Sequence, residues 1–140
     1  MKIYLDNCCF NRPYDDQSQL RILLESEAKL RIQENIRSGT FELVWSYILD
    51  YENSQNPFRE RREQIIKWRT YFAEDIEENE DVLNIASIAM SYGIKKLDSL
   101  HLACANKGQV QIKQRTFFKL ADPLISLDFL PLIFLAKTTR

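Results

Sequence analysis

Two short β-prone runs enclose one long helical repeat, and this order constrains the fold more than any other feature of the chain. Residues Ile3 to Leu5 form an apolar run that ends at Asp6, and Phe41 to Trp45 form a second one. Between them, from Gln17 to Arg37, apolar residues recur every four positions with charged residues between, and Gly39 follows. The repeat consists of Leu20, Leu24, Ala28, Ile32 and Ile36, joined by Leu23. A strand, a helix and a second strand in this order predict two parallel strands joined by a right-handed crossover.

The region after the second strand has the signals of two helices. Ser46 is placed to cap a helix that carries Asp50 and Glu52. Asn56-Pro57 then predicts an N-cap with proline at the first helical position. The apolar residues of this next helix are Phe58, Ile65, Trp68 and Phe72, and its basic residues are Arg59, Arg61, Arg62, Lys67 and Arg69.

The remaining segments continue the alternation of helix and strand. The acid-rich stretch from Glu74 to Asp81 predicts a solvated helix start, and we assign it no chemistry. Apolar spacing from Val82 to Met90 and from Leu97 to Ala105 predicts two helices, which end at Gly93 and Gly108. Val110 and Ile112 alternate as in a strand, and Leu124 to Leu135 predicts one or two strands interrupted by Pro131.

These patterns together predict the fold class. The chain has 140 residues with only 3 glycines and 4 prolines, which favours one helix-rich domain over residues 1–140. Strands that alternate with helices predict an α/β, three-layer sandwich with a mainly parallel central sheet. Ligands of such sheets bind beyond the carboxyl ends of the strands.

Charge and cysteine usage narrow the function classes. The net charge is −1, with −5 up to Ala105 and +4 from Asn106 onward, so any site for a polyanion is local. The start of the chain does not resemble a signal peptide, and no apolar run is long enough to span a bilayer, so we expect a cytoplasmic location. Cys8, Cys9 and Cys104 match neither a disulfide framework nor zinc-finger spacing, and we expect reduced thiols. The sequence also has no glycine-rich phosphate loop, HExxH helix or nucleophile elbow.

Three carboxylates stand where α/β topology brings side chains together. Asp6 follows the first strand, Glu52 lies on the helix after the second strand, and Asp98 opens a late helix. Three acids around one pocket repel one another unless they hold a hard cation, so they predict a Mg²⁺ or Mn²⁺ site. Asp50 is the alternative to Glu52, because helix geometry points the two side chains in different directions.

The same residues lie in three short motifs. The first motif is Ile3-Tyr4-Leu5-Asp6-Asn7, an opening strand that ends in an acid. In the second, Ser46 precedes a helical Glu52 by six positions. The third, Lys96 to Ala103, has an aspartate, a small residue, leucine and histidine at a helix start. Together the three motifs resemble those of the PIN-domain family, whose members are mostly metal-dependent ribonucleases, and the resemblance covers about residues 1–105.

The resemblance implies a PIN-like fold and a metal-dependent endoribonuclease with Asp6, Glu52 and Asp98 as metal ligands and catalytic residues. It also implies an RNA substrate, and many such chains are toxins that pair with an antitoxin protein or form homodimers; the apolar stretch from Leu124 to Leu135 is a candidate dimer surface. The family's fourth acidic turn has no clear counterpart here, and Asp122 is the nearest candidate. The alternative is therefore a catalytically impaired PIN-like module that binds RNA or protein.

Each of these residues also has a purely structural interpretation. Asp6 is compatible with a turn cap, and Asp98 with a helix-start acid that interacts with the helix dipole. His101, one helical turn after Asp98, is compatible with a packed side chain. Arg12 and the basic helix from Arg59 to Arg69 are either solvated surface or contacts to an RNA backbone.

Overall fold

A four-stranded sheet forms the centre of the protein. The computed structural model of the chain describes residues 1–110 and a strand at Ile133–Leu135. The strands are β1 (Lys2–Leu5), β2 (Glu42–Ser46), β3 (Phe72–Ile76) and β4 (Ile133–Leu135). Their order in the sheet is β3-β2-β1-β4, with β1, β2 and β3 mutually parallel and β4 antiparallel to β1. The predicted α/β class with a mainly parallel sheet is thus confirmed for the described residues.

Helices connect the parallel strands. They are α1 (Asn7–Asn11), α2 (Leu20–Arg37), α3 (Tyr47–Ser54), α4 (Arg59–Ile66), α5 (Glu80–Ser91) and α6 (Lys96–Lys107). Short 3₁₀ turns follow α1 and α4, at Arg12–Tyr14 and Lys67–Tyr71. The crossover from β1 to β2 contains α1 and α2, and the crossover from β2 to β3 contains α3 and α4. None of the helices in the described part of the chain has the length and apolar character that a membrane crossing requires.

The core forms where the first two strands meet the helices. Ile3 and Tyr4 of β1 and Leu43 and Val44 of β2 are fully buried, because both strands lie inside the sheet. The rings of Phe10 and Trp45 pack 5.5 Å apart, between centroids. Strand residues buried to this extent give rigid support to the carboxyl ends of β1 and β2, near Asp6 and Ser46.

Helix α2 is rotated relative to the prediction. Leu20 and Leu23 are exposed, whereas Glu25 and Lys29 are buried together with Ala28, Ile32 and Ile36. Glu25 tolerates burial because Arg12 and Arg21 each place a guanidinium nitrogen 2.9 Å from its carboxylate. Apolar periodicity alone does not detect a buried face that contains an ion pair.

The third strand was missed by the sequence analysis. Helix α4 begins at Arg59, and Phe72 lies in β3 instead of continuing the helix. Asn56 accepts a hydrogen bond from the Phe58 N–H at 3.0 Å, so it caps a turn that precedes the helix. Glu74 and Asp75 also belong to β3, and the acid-rich stretch becomes helical only at Glu80, where Asn79 caps α5.

The C-terminal predictions are tested only in part. A strand at Ile133–Leu135 agrees with the prediction of a strand within Leu124 to Leu135. The predicted strand at Val110 and Ile112, the proposed dimer surface and Asp122 lie mainly or wholly outside the described residues.

Candidate functional site

Asp6 lies at the point where β1 ends and α1 begins. Its Oδ1 accepts a hydrogen bond from the Cys9 backbone N–H at 3.1 Å and lies 2.8 Å from Cys8 Sγ. Asp6 is therefore the N-cap of α1, as the structural interpretation requires. The cap also fixes the half-buried carboxylate at the carboxyl end of the strand, where a ligand of a parallel sheet would bind.

Glu52 and Asp50 have different surroundings, although only one residue separates them. Ser46 ends β2 and caps α3, since its Oγ accepts from the Leu49 N–H at 3.4 Å. Asp50 accepts a hydrogen bond from Trp45 Nε1 at 3.0 Å, and its other oxygen lies 3.5 Å from Arg69 Nη1. Glu52 instead places Oε2 2.7 Å from His101 Nε2. Of the two acids, Glu52 is the one that faces α6.

A chain of hydrogen bonds connects Glu52 to the first strand. The Tyr4 hydroxyl lies 2.7 Å from His101 Nδ1 and 2.7 Å from Ser46 Oγ. His101 is buried, and its ring meets the Tyr4 ring edge to face at 5.7 Å. The chain Ser46–Tyr4–His101–Glu52 therefore links β2, β1, α6 and α3 at one end of the sheet.

The Glu52 carboxylate gives this hydrogen-bond chain a direction. A carboxylate can only accept, so His101 donates from Nε2 to Glu52, and Nδ1 of a neutral ring accepts from the Tyr4 hydroxyl. Burial raises the pKa of Tyr4 well above its ordinary range, and the charges of Asp6 and Glu52 add to the shift, so the phenol keeps the proton that it donates and accepts from Ser46. Every donor in the hydrogen-bond chain Ser46–Tyr4–His101–Glu52 then has one acceptor.

Asp98 is half-buried in the first turn of α6, one turn before His101. Its neighbour Leu97 lines an open cleft of ≈ 460 Å³ together with Glu52 and Asn7. The three predicted carboxylates thus lie on elements that meet at this end of the sheet. Among the described residues, however, they do not form a group whose ligand atoms all lie within 4.8 Å of one another. Their joint binding of one ion stays a prediction.

A different cluster does meet that criterion. Asp6, Cys8 and Cys9 each offer a ligand atom, and these atoms lie within 4.8 Å of one another. Cys9 is fully buried, and burial, Cys8 and Asp6 all raise its pKa, whereas the nearby Lys29 lowers it. Lys29 is itself buried, and its Nζ has no hydrogen-bond partner within the described part of the chain. Cys9 therefore has two charged neighbours, the Asp6 carboxylate and the Lys29 ammonium.

Three clefts adjoin one another across the face that carries Glu52. The central cleft shares Pro57, Phe58 and Arg61 with a cleft of ≈ 890 Å³ on one side. On the other side it shares Tyr51 and Leu97 with a cleft of ≈ 640 Å³. We call the three together the long groove; its exposed aromatic residues are Tyr14, Phe58 and Tyr51.

Two arginines near the long groove are paired with acidic residues. Arg12 lies 3.1 Å from Asp15 and 2.9 Å from Glu25, so it joins the loop after α1 to α2. Arg61 pairs with Asp15 at 3.3 Å, and its guanidinium carbon lies 4.4 Å from the Phe58 ring centroid. Arg12 thus has a structural role, and Arg61 forms part of an aromatic and cationic surface.

Sequence reasoning selected Asp6, Glu52 and Asp98 but overlooked Tyr4, the cluster around Lys29 and the stacked Phe58. Burial of a hydroxyl or an ammonium depends on tertiary packing, for which the local sequence has no signal.

Comparisons of the chain with protein-family models, curated proteins and solved structures found no match.

Proposed function

We propose that this protein is a divalent-metal-dependent endoribonuclease of the PIN type, with a three-layer α/β sandwich. The observation that carries the proposal is the hydrogen-bond chain from Tyr4 through His101 to Glu52. Each of its members comes from a different one of the three motifs that resemble the PIN family. Segments that are distant in sequence are therefore joined next to the carboxylates that the resemblance assigns to metal binding.

The donor set fits a hard cation. Asp6, Glu52 and Asp98 supply carboxylate oxygens, the ligands that Mg²⁺ and Mn²⁺ prefer. Asn7 Oδ1 is buried beside Asp6 and has no hydrogen-bond partner among the described residues, so it is a further oxygen in need of a donor or an ion. When bound, such an ion supplies an activated water and offsets charge on the phosphodiester.

The cap of α1 and the hydrogen-bond chain hold these ligands in place. The Cys9 N–H fixes Asp6, and the His101 Nε2–H fixes one oxygen of Glu52, which leaves its other oxygen for an ion or its water. Tyr4 fixes the His101 ring in turn. A carboxylate with a fixed orientation loses less entropy when it binds an ion or a substrate water.

The long groove is the proposed path of the RNA strand. It crosses the face with Glu52 at its centre and exposes Phe58 and Tyr51 on the two sides, where unpaired bases can stack. Arg61 lies over Phe58 and can contact the backbone phosphates.

A protein partner is the second part of the proposal. The PIN resemblance suggests an antitoxin protein, and apolar side chains along α5 and its end are exposed to such a partner. They are Leu83, Ile88, Met90, Tyr92 and Ile94. The resemblance also suggests a homodimer, but the stretch proposed for it lies mainly outside the described residues.

The decisive experiment is RNA cleavage with Mg²⁺ or Mn²⁺ by the wild type and by Asp6→Asn, Glu52→Gln and Asp98→Asn. We expect each variant to lose cleavage while its fold, measured by circular dichroism, is retained. Asp50→Asn is the matched control: it removes the same charge two positions from Glu52 but contacts Trp45 and Arg69, so cleavage should persist.

Two results would overturn the proposal. Cleavage by Asp6→Asn at the wild-type rate would exclude Asp6 as an essential ligand. RNA binding without cleavage in the wild type would favour the alternative, a catalytically impaired binding module.

A further inference from the structure

We propose that Asp6, Cys8 and Cys9 form a zinc site that binds Zn²⁺ in preference to Mg²⁺. The ligand atoms of the three residues lie within 4.8 Å of one another. A zinc ion needs sulfur at about 2.3 Å and oxygen at about 2.0 to 2.2 Å, which small side-chain movements within this cluster would supply. Thiolates select soft or borderline ions, so the two sulfurs favour Zn²⁺ over a hard cation.

The buried Lys29 is an independent observation in favour of this site. Lys29 is 2% exposed, its Nζ has no hydrogen-bond partner in the part of the chain described, and its charge acts on Cys9. A buried charge without a partner is destabilising. A zinc-bound thiolate at Cys9 places a negatively charged sulfur on the side of Lys29, which the free thiol does not.

The charge balance also favours zinc with deprotonated thiols. Binding replaces two S–H bonds by two Zn–S bonds and releases two protons to solvent. The zinc ion brings two positive charges and the two protons remove two, so the net charge of the cluster does not change. The opposite charges of Asp6 and Lys29 therefore still balance. With both thiols protonated, Asp6 is the only one of the three residues that offers an oxygen to a hard cation, so Mg²⁺ gains fewer ligands from this cluster than Zn²⁺ does.

The burial of the three ligands determines the side from which an ion can reach the site. Cys9 is inaccessible to solvent, whereas Asp6 and Cys8 are half-buried. An ion therefore enters from the side of Asp6 and Cys8, and a water completes the tetrahedron. The zinc site does not depend on ribonuclease activity. One consequence rests on the proposed function: zinc would occupy Asp6 and inhibit cleavage.

The test uses the reduced, metal-free full chain. Zn²⁺ is titrated against a chromophoric chelator with excess Mg²⁺ present, and Co²⁺ is used in a parallel titration because its thiolate complexes absorb in the near ultraviolet. We expect one ion per chain and a thiolate-to-cobalt band. Cys8→Ser and Cys9→Ser should weaken the band and reduce zinc affinity by more than the roughly 10- to 100-fold that an outer partner contributes.

Two further variants separate the site from general thiol chemistry. Cys104→Ala removes the thiol that lies outside the cluster and should leave the band and the affinity unchanged. Lys29→Met keeps the length of the side chain without its charge and should weaken zinc binding, because the positive charge of Lys29 attracts the Cys9 thiolate. A cobalt complex without the thiolate band, or a band as strong in Cys8→Ser as in the wild type, would overturn the proposal.

The wild type alone provides a check if Cys9→Ser does not fold. Zn²⁺ should slow the alkylation of Cys8 by iodoacetamide, followed by peptide mass spectrometry, and Mg²⁺ should not. Equal alkylation rates with and without Zn²⁺ would contradict the site. None of these measurements depends on RNA, so a failure of the ribonuclease proposal leaves their outcome unaffected.

Discussion

His101 Nε2 lies 2.7 Å from Glu52 Oε2, and this contact joins α6 to α3 across 49 residues of sequence. His101 is the only histidine of the chain. Its second ring nitrogen faces the Tyr4 hydroxyl, so both nitrogens have defined partners.

The tautomer of His101 follows from this arrangement. Because the Glu52 carboxylate can only accept, a neutral ring carries its proton on Nε2 and accepts a hydrogen bond from the Tyr4 hydroxyl at Nδ1. A long-range ¹H–¹⁵N correlation spectrum in mildly alkaline buffer should show this tautomer, and a single histidine makes the assignment unambiguous. A spectrum of the Nδ1–H form would reverse the direction of the hydrogen-bond chain.

Replacing Tyr4 by Phe should destabilise the protein. The substitution leaves the ring in place but removes the hydroxyl, so His101 Nδ1 and Ser46 Oγ lose their shared partner in a buried site. We expect a loss of about 1 to 3 kcal/mol in the free energy of unfolding, measured with urea. Tyr92→Phe is the control, since Tyr92 is 82% exposed and should show almost no change. Equal effects of the two substitutions would mean that the buried hydroxyl contributes nothing.

Two glycine-to-alanine substitutions should destabilise the protein for different reasons. A Cβ at Gly108 would lie 2.8 Å from Val44 Cγ1 in the core, and we expect Gly108→Ala to cost about 1 to 3 kcal/mol by overpacking. Gly39 has open space but a φ of 76°, so Gly39→Ala should cost about 1 to 2 kcal/mol through backbone strain.

Val44→Ala distinguishes the two causes in a double-mutant cycle. It should offset part of the loss in Gly108→Ala, because it removes the methyl groups that clash, and it should be additive with Gly39→Ala. Additivity in both cycles would show that Gly108 does not pack against Val44 as described.

The parts of the fold that the sequence predicted are those that local chemistry determines. Ser46 was expected to cap a helix and does so, and Gly93, with φ 85°, follows α5 as expected. Strand β3 was missed because Phe72 continues the helical spacing of Ile65 and Trp68, while the change to a strand depends on pairing with β2.

The same division applies to the candidate site. Asp6 and Glu52 stand next to strand ends and could be selected from their positions alone. The partners of His101, Lys29 and Asn7 are set by contacts between distant segments, and no local pattern encodes them. Glu52 was preferred over Asp50 from the sequence, and the contacts of Asp50 with Trp45 and Arg69 support that choice.

Alkaline pH should lower stability through Cys104. Burial raises the pKa of this thiol to about 12, whereas in the unfolded chain it has its ordinary value near 9.0. The thiol is protonated in both states below about pH 9, so its contribution is intact there. Above that pH the unfolded chain releases the proton first, and stability falls until the folded thiol ionises near pH 12.

The measurement is urea unfolding at about pH 8 and about pH 10.5 for the wild type and Cys104→Ala. One such thiol contributes at most about 1.4 kcal/mol per pH unit in this window. We expect the wild type to lose more stability than the variant over this range. The pKa values of Tyr4 and Tyr47 are raised as well, partly by Cys104, so the difference between the two proteins reports the Cys104 thiol together with its effect on these two hydroxyls. Parallel losses would mean that the thiol ionises in the folded state near its ordinary pH.

The last prediction concerns how the long groove holds RNA. Phe58 is 56% exposed and its ring lies under the Arg61 guanidinium, so the ring offers a flat surface for an unpaired base. Phe58→Ala should weaken the binding of a single-stranded oligonucleotide by about 1 to 3 kcal/mol without changing its salt dependence, because stacking involves no phosphate.

For the wild type we expect a slope of log affinity against log salt on the order of −2 to −4, since few basic side chains are available to contact phosphates at a net charge of −1. Arg61→Ala should reduce the magnitude of the slope by about 1, whereas Lys67→Ala and Tyr92→Ala, whose residues line none of the three clefts, should match the wild type. Fluorescence anisotropy at several salt concentrations measures both quantities. Equal affinities for the wild type and Phe58→Ala, together with a loss in Lys67→Ala, would move the RNA path from the long groove to the surface around Lys67.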